Sequence, residues 1–103
     1  LKSYREVEVS PNGQLLEIQI EASGKKRVLG DSRARAHIDE AGRVWTAELA
    51  VPLAGDGEGW RLNFFRVEGQ GQDRVYSAWS PTRTPQPDFH VPAAFGRLLT
   101  HTA

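Results

Sequence analysis

Two aromatic residues bracket the stretch of this sequence best equipped for chemistry. Trp79 and Phe89 flank Ser80-Pro81-Thr82 through Gln86-Pro87-Asp88, a segment that brings hydroxyls, an amide and a carboxylate to rings on a stiff, Pro-rich loop. Aromatic faces beside such groups suit stacking on the C–H face of a sugar, with hydrogen bonds to its hydroxyls. The same two rings could instead plug the end of a β fold, and both readings stand at this point. Asn63 and Arg66, on the run before, add hydrogen-bonding groups. Arg66 shares the face of Trp60, Leu62 and Phe64, an unusual place for a cation unless it reaches solvent at a strand end or a ligand.

Other chemistries find less support. Glu6, Glu8, Glu17, Glu21 and Glu48 occupy alternate strand positions, the pattern of a solvated sheet face rather than of a carboxylate pair across a cleft. No G-x-S-x-G elbow supports a catalytic triad, and Gly69-Gln70-Gly71 lacks the rest of a phosphate-binding fingerprint. His37, His90 and His101 are too far apart to ligate a transition metal as a local motif. Oxygen ligands for calcium exist at Asp31, Asp39, Asp56, Glu58, Asp73 and Asp88, without an EF-hand pattern. The expectation is a protein that binds and does not catalyse.

Composition narrows the field further. The 103 residues carry 13 basic and 13 acidic side chains, so the formal net charge is zero. Nucleic-acid binders ordinarily carry a basic excess to neutralise phosphates, so nucleic acid is not an expected partner. With no Cys, there is no disulfide framework, thiolate metal site or cysteine nucleophile. No apolar run is long enough for a membrane-spanning helix. A chain that begins at Leu1 and contains no Met is expected to come from a longer precursor.

The elements that must position the aromatic loop are strands. Period-two alternation predicts strands over 3–9, 14–21, 33–39, 43–51, 60–67, 74–79 and 96–101. Pro11-Asn12-Gly13 joins the first two as a hairpin, with Val7 and Val9 on one face of the first strand and Leu16, Ile18 and Ile20 on one face of the second. Residues 22–32 and 54–59 read as loops, 40–42 and 69–73 as turns, and 80–95 as an ordered irregular loop. Trp45, Leu49 and Val51, with Trp60, Leu62 and Phe64, are the expected core. No segment shows a helical period, so the expected fold is all-β, an antiparallel β-sandwich of immunoglobulin or jelly-roll type.

In order along the chain, EVEVSPNG, RVWTAELAVPL, GWRLNFFRVEG, YSAWSPT and DFHVPAAFGRL resemble the family 9 carbohydrate-binding modules, most closely the bacterial family 9-like branch. The resemblance covers 4–99, and its most specific block is Phe89, Pro92, Phe95, Gly96 and Leu98. It implies a β-sandwich that binds oligo- or polysaccharides without catalysis, in a secreted, periplasmic or cell-surface protein that often degrades glycosides. In that family a sugar lies between two aromatic rings, with structural calcium nearby. Phe89 falls at one of these platforms, where those modules carry a Trp. On this basis Phe89, Trp79, Asp88, Gln86, Arg66 and Asn63 are the expected ligand-binding residues. No catalytic residue is expected, and metal ligands are unassigned.

The family's domains are nearly twice this length, so residues 1–103 correspond to the C-terminal part of one domain. The N-terminal half, with the second platform ring, is missing from this chain and is expected to be its partner. Without it, inward strand faces lack cover, and the chain is expected to be stable only with that half. Two other functions remain open. One is a structural or interaction domain that has lost sugar binding, which predicts Phe89 packed into the fold. The other is a haem-binding electron-transfer domain of related architecture, for which His37 would be the axial ligand.

Overall fold

The computed structural model describes residues 3–53 and 59–99. It divides into two compact units, Leu1–Leu53 and Ala54–Ala103, the boundary falling just after Pro52. The chain is all-β: among the described residues every ladder is antiparallel and the helical elements are two single turns of 3-10 helix.

In the first unit, strands β1 (Tyr4–Val9), β2 (Leu15–Ile20) and β3 (Lys26–Val28) form a three-stranded sheet in sequence order. Both hairpins use the same device. In the first, Ser10 N–H donates to Gln14 O and Gly13 N–H to Ser10 O, each at 2.9 Å, with Gly13 at φ 87°. In the second, Glu21 N–H donates to Lys25 O at 2.9 Å and Gly24 N–H to Glu21 O at 2.8 Å, with Gly24 at φ 90°. A three-residue loop whose last residue is left-handed closes a twisted hairpin, and glycine takes that conformation without steric cost. Thus 22–32, expected to be a loop, contains a hairpin turn and an edge strand. A three-residue strand rich in Lys and Arg has no legible period, whereas the Gly at the third loop position was the available signal.

The β1–β2 register crosses the two side-chain patterns. Glu6 faces Ile18, Glu8 faces Leu16 and Val7 faces Glu17. Each strand alternates as expected, but the apolar side of β2 lies beside the acidic side of β1. Glu17, expected on a solvated face, is instead only 2 % exposed, deeper than Ile20 or Ser32.

Strands β4 (Arg33–Asp39) and β5 (Val44–Ala50) form a separate two-stranded ribbon. One face pairs Ala36 with Ala47 and Ile38 with Trp45; the other pairs Arg35 with Glu48 and His37 with Thr46. At the turn between them, Gly42 N–H donates to Asp39 Oδ1 at 3.2 Å, but it is Arg43 that takes the left-handed conformation, at φ 53°. An L side chain in that region costs roughly 1–2 kcal/mol. Arg43→Gly relieves that clash against some unfolded-state entropy, and should stabilise the unit by about 0.5–1 kcal/mol in urea denaturation.

In the second unit, the expected strand 60–67 is broken. Strand β6 (Arg61–Leu62) pairs with β9 (Gly96–Arg97), while β7 (Phe65–Glu68) pairs with β8 (Val75–Ala78). The chain changes partners at Asn63-Phe64. Of the expected strand 96–101, β9 holds the first two residues and is extended by one bond from Leu98 N–H to Trp60 O at 2.9 Å, while 100–101 lie outside the described residues. Two 3-10 turns, Gly71–Asp73 and Pro92–Ala94, lie in the β7–β8 turn and before β9. Trp45, Val51, Trp60 and Leu62 are half-buried, and Leu49 and Phe64 are exposed, so the expected core is not a buried one. Ile20, at 7 % exposure, is the buried hydrophobic residue among those described.

Candidate functional site

The β7–β8 ribbon presents a different aromatic cluster on each side. Phe65 pairs across the ribbon with Ala78, and Val67 with Tyr76, so Phe65 and Tyr76 share a face. Phe89, on the loop that follows β8, folds back onto that face. Its ring stacks on Phe65, with centroids 4.2 Å apart and planes at 25°, and meets Tyr76 edge-on at 5.9 Å. Beside this stack is an open depression of about 210 Å3 lined by Tyr76, Pro87, Asp88, Phe89 and His90. Asp88 Oδ1 accepts from the His90 backbone N–H at 2.9 Å, a local turn that fixes both residues on the rim.

The opposite side carries Phe64, Arg66 and Trp79. Trp79 N–H donates to Phe64 O at 2.9 Å, which extends the β7–β8 register by one pair, and the two rings meet edge-to-face at 6.0 Å. Trp79 is 58 % exposed and Phe64 60 % exposed. The indole lies across Gly96: a Cβ there would be 2.6 Å from Trp79 Cη2 and nearer still to Cζ3. Arg66 Nε pairs with Glu68 Oε1 at 2.6 Å on this same side. The structure therefore brings Phe89 and Asp88 together and separates them from Trp79 and Arg66. One sugar ring cannot lie between Phe89 and Trp79, because the ribbon does. Nor does Trp79 plug the fold, given its exposure.

Asn63 does something other than wait for a ligand. Its Oδ1 accepts from Ser80 N–H at 2.8 Å and from Phe64 N–H at 2.9 Å, while Nδ2 donates to Ser80 O at 2.9 Å. The side-chain amide stands in for a peptide group, continuing the ladder where the backbone has left to join β9. Ser80 Oγ then donates to Ala94 O at 2.5 Å. Gln86 is exposed, and its backbone carbonyl accepts from Thr84 Oγ1 at 2.6 Å. Sequence reasoning missed Phe65, Tyr76 and His90 as neighbours of Phe89. The alternation of β7 and β8 contains that signal only once the pairing of Phe65 with Ala78 is known.

The first unit holds a built electrostatic cluster around Glu17. Glu17 Oε1 accepts from the backbone N–H groups of Ser32 and Asp31, at 3.0 and 3.1 Å. Its Oε2 accepts from the Ser32 hydroxyl and pairs with Arg5 Nη1, the latter at 3.3 Å. Arg5 also lies 3.9 Å from Asp31 Oδ1 and donates to Pro52 O at 3.4 Å. The Ser32 hydroxyl bond is the largest influence holding the Glu17 carboxyl below its ordinary value. Desolvation opposes it, and the Ser32 N–H, Arg5 and the Asp31 N–H reinforce it. Every oxygen is occupied by the protein's own donors, so this cluster is structural.

Among the described residues no three His, Cys, Asp or Glu side chains come together as a metal site, and Asp56-Gly57-Glu58 lie outside the described residues. His37 is exposed on the polar face of β4, opposite Thr46. No protein-family model, no curated protein and no solved structure matches this chain.

Proposed function

We propose that this chain is a non-catalytic carbohydrate-binding β domain, with one sugar unit seated in the depression beside Phe89. The observation that carries the reading is the backed ring. Phe65 braces one face of Phe89 at 4.2 Å, and the ring borders an open depression whose rim holds Asp88. A fixed aromatic ring with a carboxylate beside it offers C–H stacking and a hydroxyl acceptor together. A depression of about 210 Å3 is smaller than the roughly 300–1,000 Å3 of pockets that enclose drug-sized ligands, which suits a chain end or a single branch. Zero net charge fits a neutral ligand. In this reading Phe89 and Asp88 contact the sugar, and Tyr76 and His90 complete the rim. Such a domain belongs in a secreted, periplasmic or cell-surface protein acting on polysaccharide.

Calorimetric titration with methyl glycosides and short oligosaccharides of glucose, xylose, mannose and galactose tests this. At least one should bind, and Phe89→Ala should weaken it by on the order of ten-fold or more, the scale of a lost aromatic contact. No binding to any glycan, or an unchanged affinity in Phe89→Ala, overturns the assignment.

One observation favours a second reading, an interaction domain without sugar binding. The contacts of Phe89 with Phe65 and Tyr76 half-bury its ring, as a purely structural role requires. In that case Phe89→Ala lowers the melting temperature and no glycan binds either protein.

A further inference from the structure

Residues 80–94 leave the β7–β8 ribbon and return to β9 with almost no ladder bonds of their own, yet the loop is pinned at three places. At the neck, Ser80 Oγ reaches Ala94 O across 14 residues of chain at 2.5 Å. Below the neck, the Asn63 side-chain amide holds both backbone groups of Ser80, at 2.8 and 2.9 Å. At the tip, Phe89 is stacked on Phe65. Short internal bonds stiffen the path between: Thr84 Oγ1 to Gln86 O at 2.6 Å, His90 N–H to Asp88 Oδ1 at 2.9 Å, and Ala94 N–H to Val91 O at 2.9 Å. A compact surface loop whose ends meet and whose own side chains fill it is an Ω-loop, a form that often carries binding residues.

We infer that Asn63 and Ser80 clamp 80–94 into a preassembled binding loop, so that Asn63 sets ligand affinity as a positioning residue without touching the ligand. The inference rests on the carbohydrate reading above and reassigns Asn63 within it. The physical reason is entropic. Each loop residue that is already ordered need not be ordered on binding, and an open neck would move that cost into the binding step. Asn63 suits the role because its planar amide offers an acceptor and a donor at the spacing of a peptide group. It therefore bridges the gap left where β6 turns away to pair with β9.

Backbone hydrogen exchange and glycan titration on the same variants test it. In Asn63→Ala, exchange at the Ser80, His90 and Ala94 amides should quicken on the order of ten-fold or more, while amides of β1, β2, β4 and β5 keep their rates. Affinity for the methyl glycoside or oligosaccharide that binds the unsubstituted chain should fall by a similar factor. Ser80→Ala, which removes only the hydroxyl link to Ala94, should shift both readouts the same way by less, and it serves if Asn63→Ala does not fold. Unchanged loop exchange in both variants overturns the clamp whether or not a sugar is found. Lost affinity with unchanged exchange overturns the positioning role and makes Asn63 a contact residue. Failure of the unsubstituted chain to bind any of these glycans overturns the carbohydrate reading and the affinity claim with it, while the exchange rates still report on the clamp.

Discussion

Glu17→Ala should unfold the first unit at temperatures where the unsubstituted chain is intact. The substitution removes one side chain but strands the donors that converge on it: the Ser32 hydroxyl and N–H and the Asp31 N–H, with Arg5 left unpaired on that side. A donor that loses its acceptor while buried is costlier than the lost bond alone. The Glu17 backbone is part of the same junction, since its carbonyl accepts from Leu29 N–H at 2.9 Å. Residues 29–32 thus wrap around Glu17 on the way from β3 to β4. Loss of the wrap should show as early hydrogen exchange at Asp31 and Ser32, together with a lowered melting temperature. Glu17→Gln should be milder, because it keeps one acceptor oxygen.

The same carboxylate sets an acid limit. Its folded-state value lies below the ordinary 4.5, so its contribution to stability is fully present above about that pH. It is lost as pH falls through the lowered folded value, when the proton that Ser32, Arg5 and Asp31 exclude is finally taken up. Midpoints of thermal unfolding against pH should fall on that acid side in the unsubstituted chain and flatten in Glu17→Gln. A curve of the same shape in both would show that other carboxylates dominate acid unfolding.

The second large effect is expected at Gly96. Any side chain there collides with the Trp79 indole, and the indole cannot retreat freely because its backbone is bonded to Phe64 and its ring meets the Phe64 ring. Gly96 also pairs with Leu62 in the β6–β9 ladder, so the strand cannot shift away without breaking it. Overpacking of this kind costs about 1–3 kcal/mol. Gly96→Ala should therefore destabilise the second unit by that order in urea and move Trp79 emission as the ring is displaced. In the Gly96→Ala/Trp79→Ala pair the combined loss should be less than the sum, because the second change removes the obstacle. Strict additivity would show that the Trp79 indole is not the obstacle.

How much of this was readable beforehand varies by element. Strand β4 occupies the predicted 33–39, and β1, β2, β5 and β8 lie within a residue or two of their alternating runs, because the period that marks them is local. The break at Asn63-Phe64 left a trace that the reading of one strand over 60–67 passed over: the alternation slips phase at Phe64-Phe65 and puts Arg66 on the side of Trp60 and Leu62, and what divides the run is the separate recruitment of its halves by Gly96–Arg97 and Val75–Ala78. Glu17 has the same neighbours in sequence as any solvated strand acid. Only Arg5, Asp31 and Ser32, each at least 12 residues away, distinguish it. The site was half legible. Phe89 and Asp88 were singled out by type and by their place in a Pro-rich loop. That Trp79 and Arg66 lie across the ribbon from them follows from the register, which the sequence does not display.

The neck at Ser80 and Ala94 also makes the intervening segment portable. A loop whose neck is closed by its own hydroxyl and by one side-chain amide asks little more of its flanking strands than that amide and the ring on which Phe89 stacks. Grafted between the arms of an unrelated antiparallel hairpin, with an Asn set opposite the Ser as Asn63 is here and aromatic residues placed as Phe65 and Tyr76 are, residues 80–94 should keep their path. The rest of the molecule would then act as a mount, exchangeable for a more stable one.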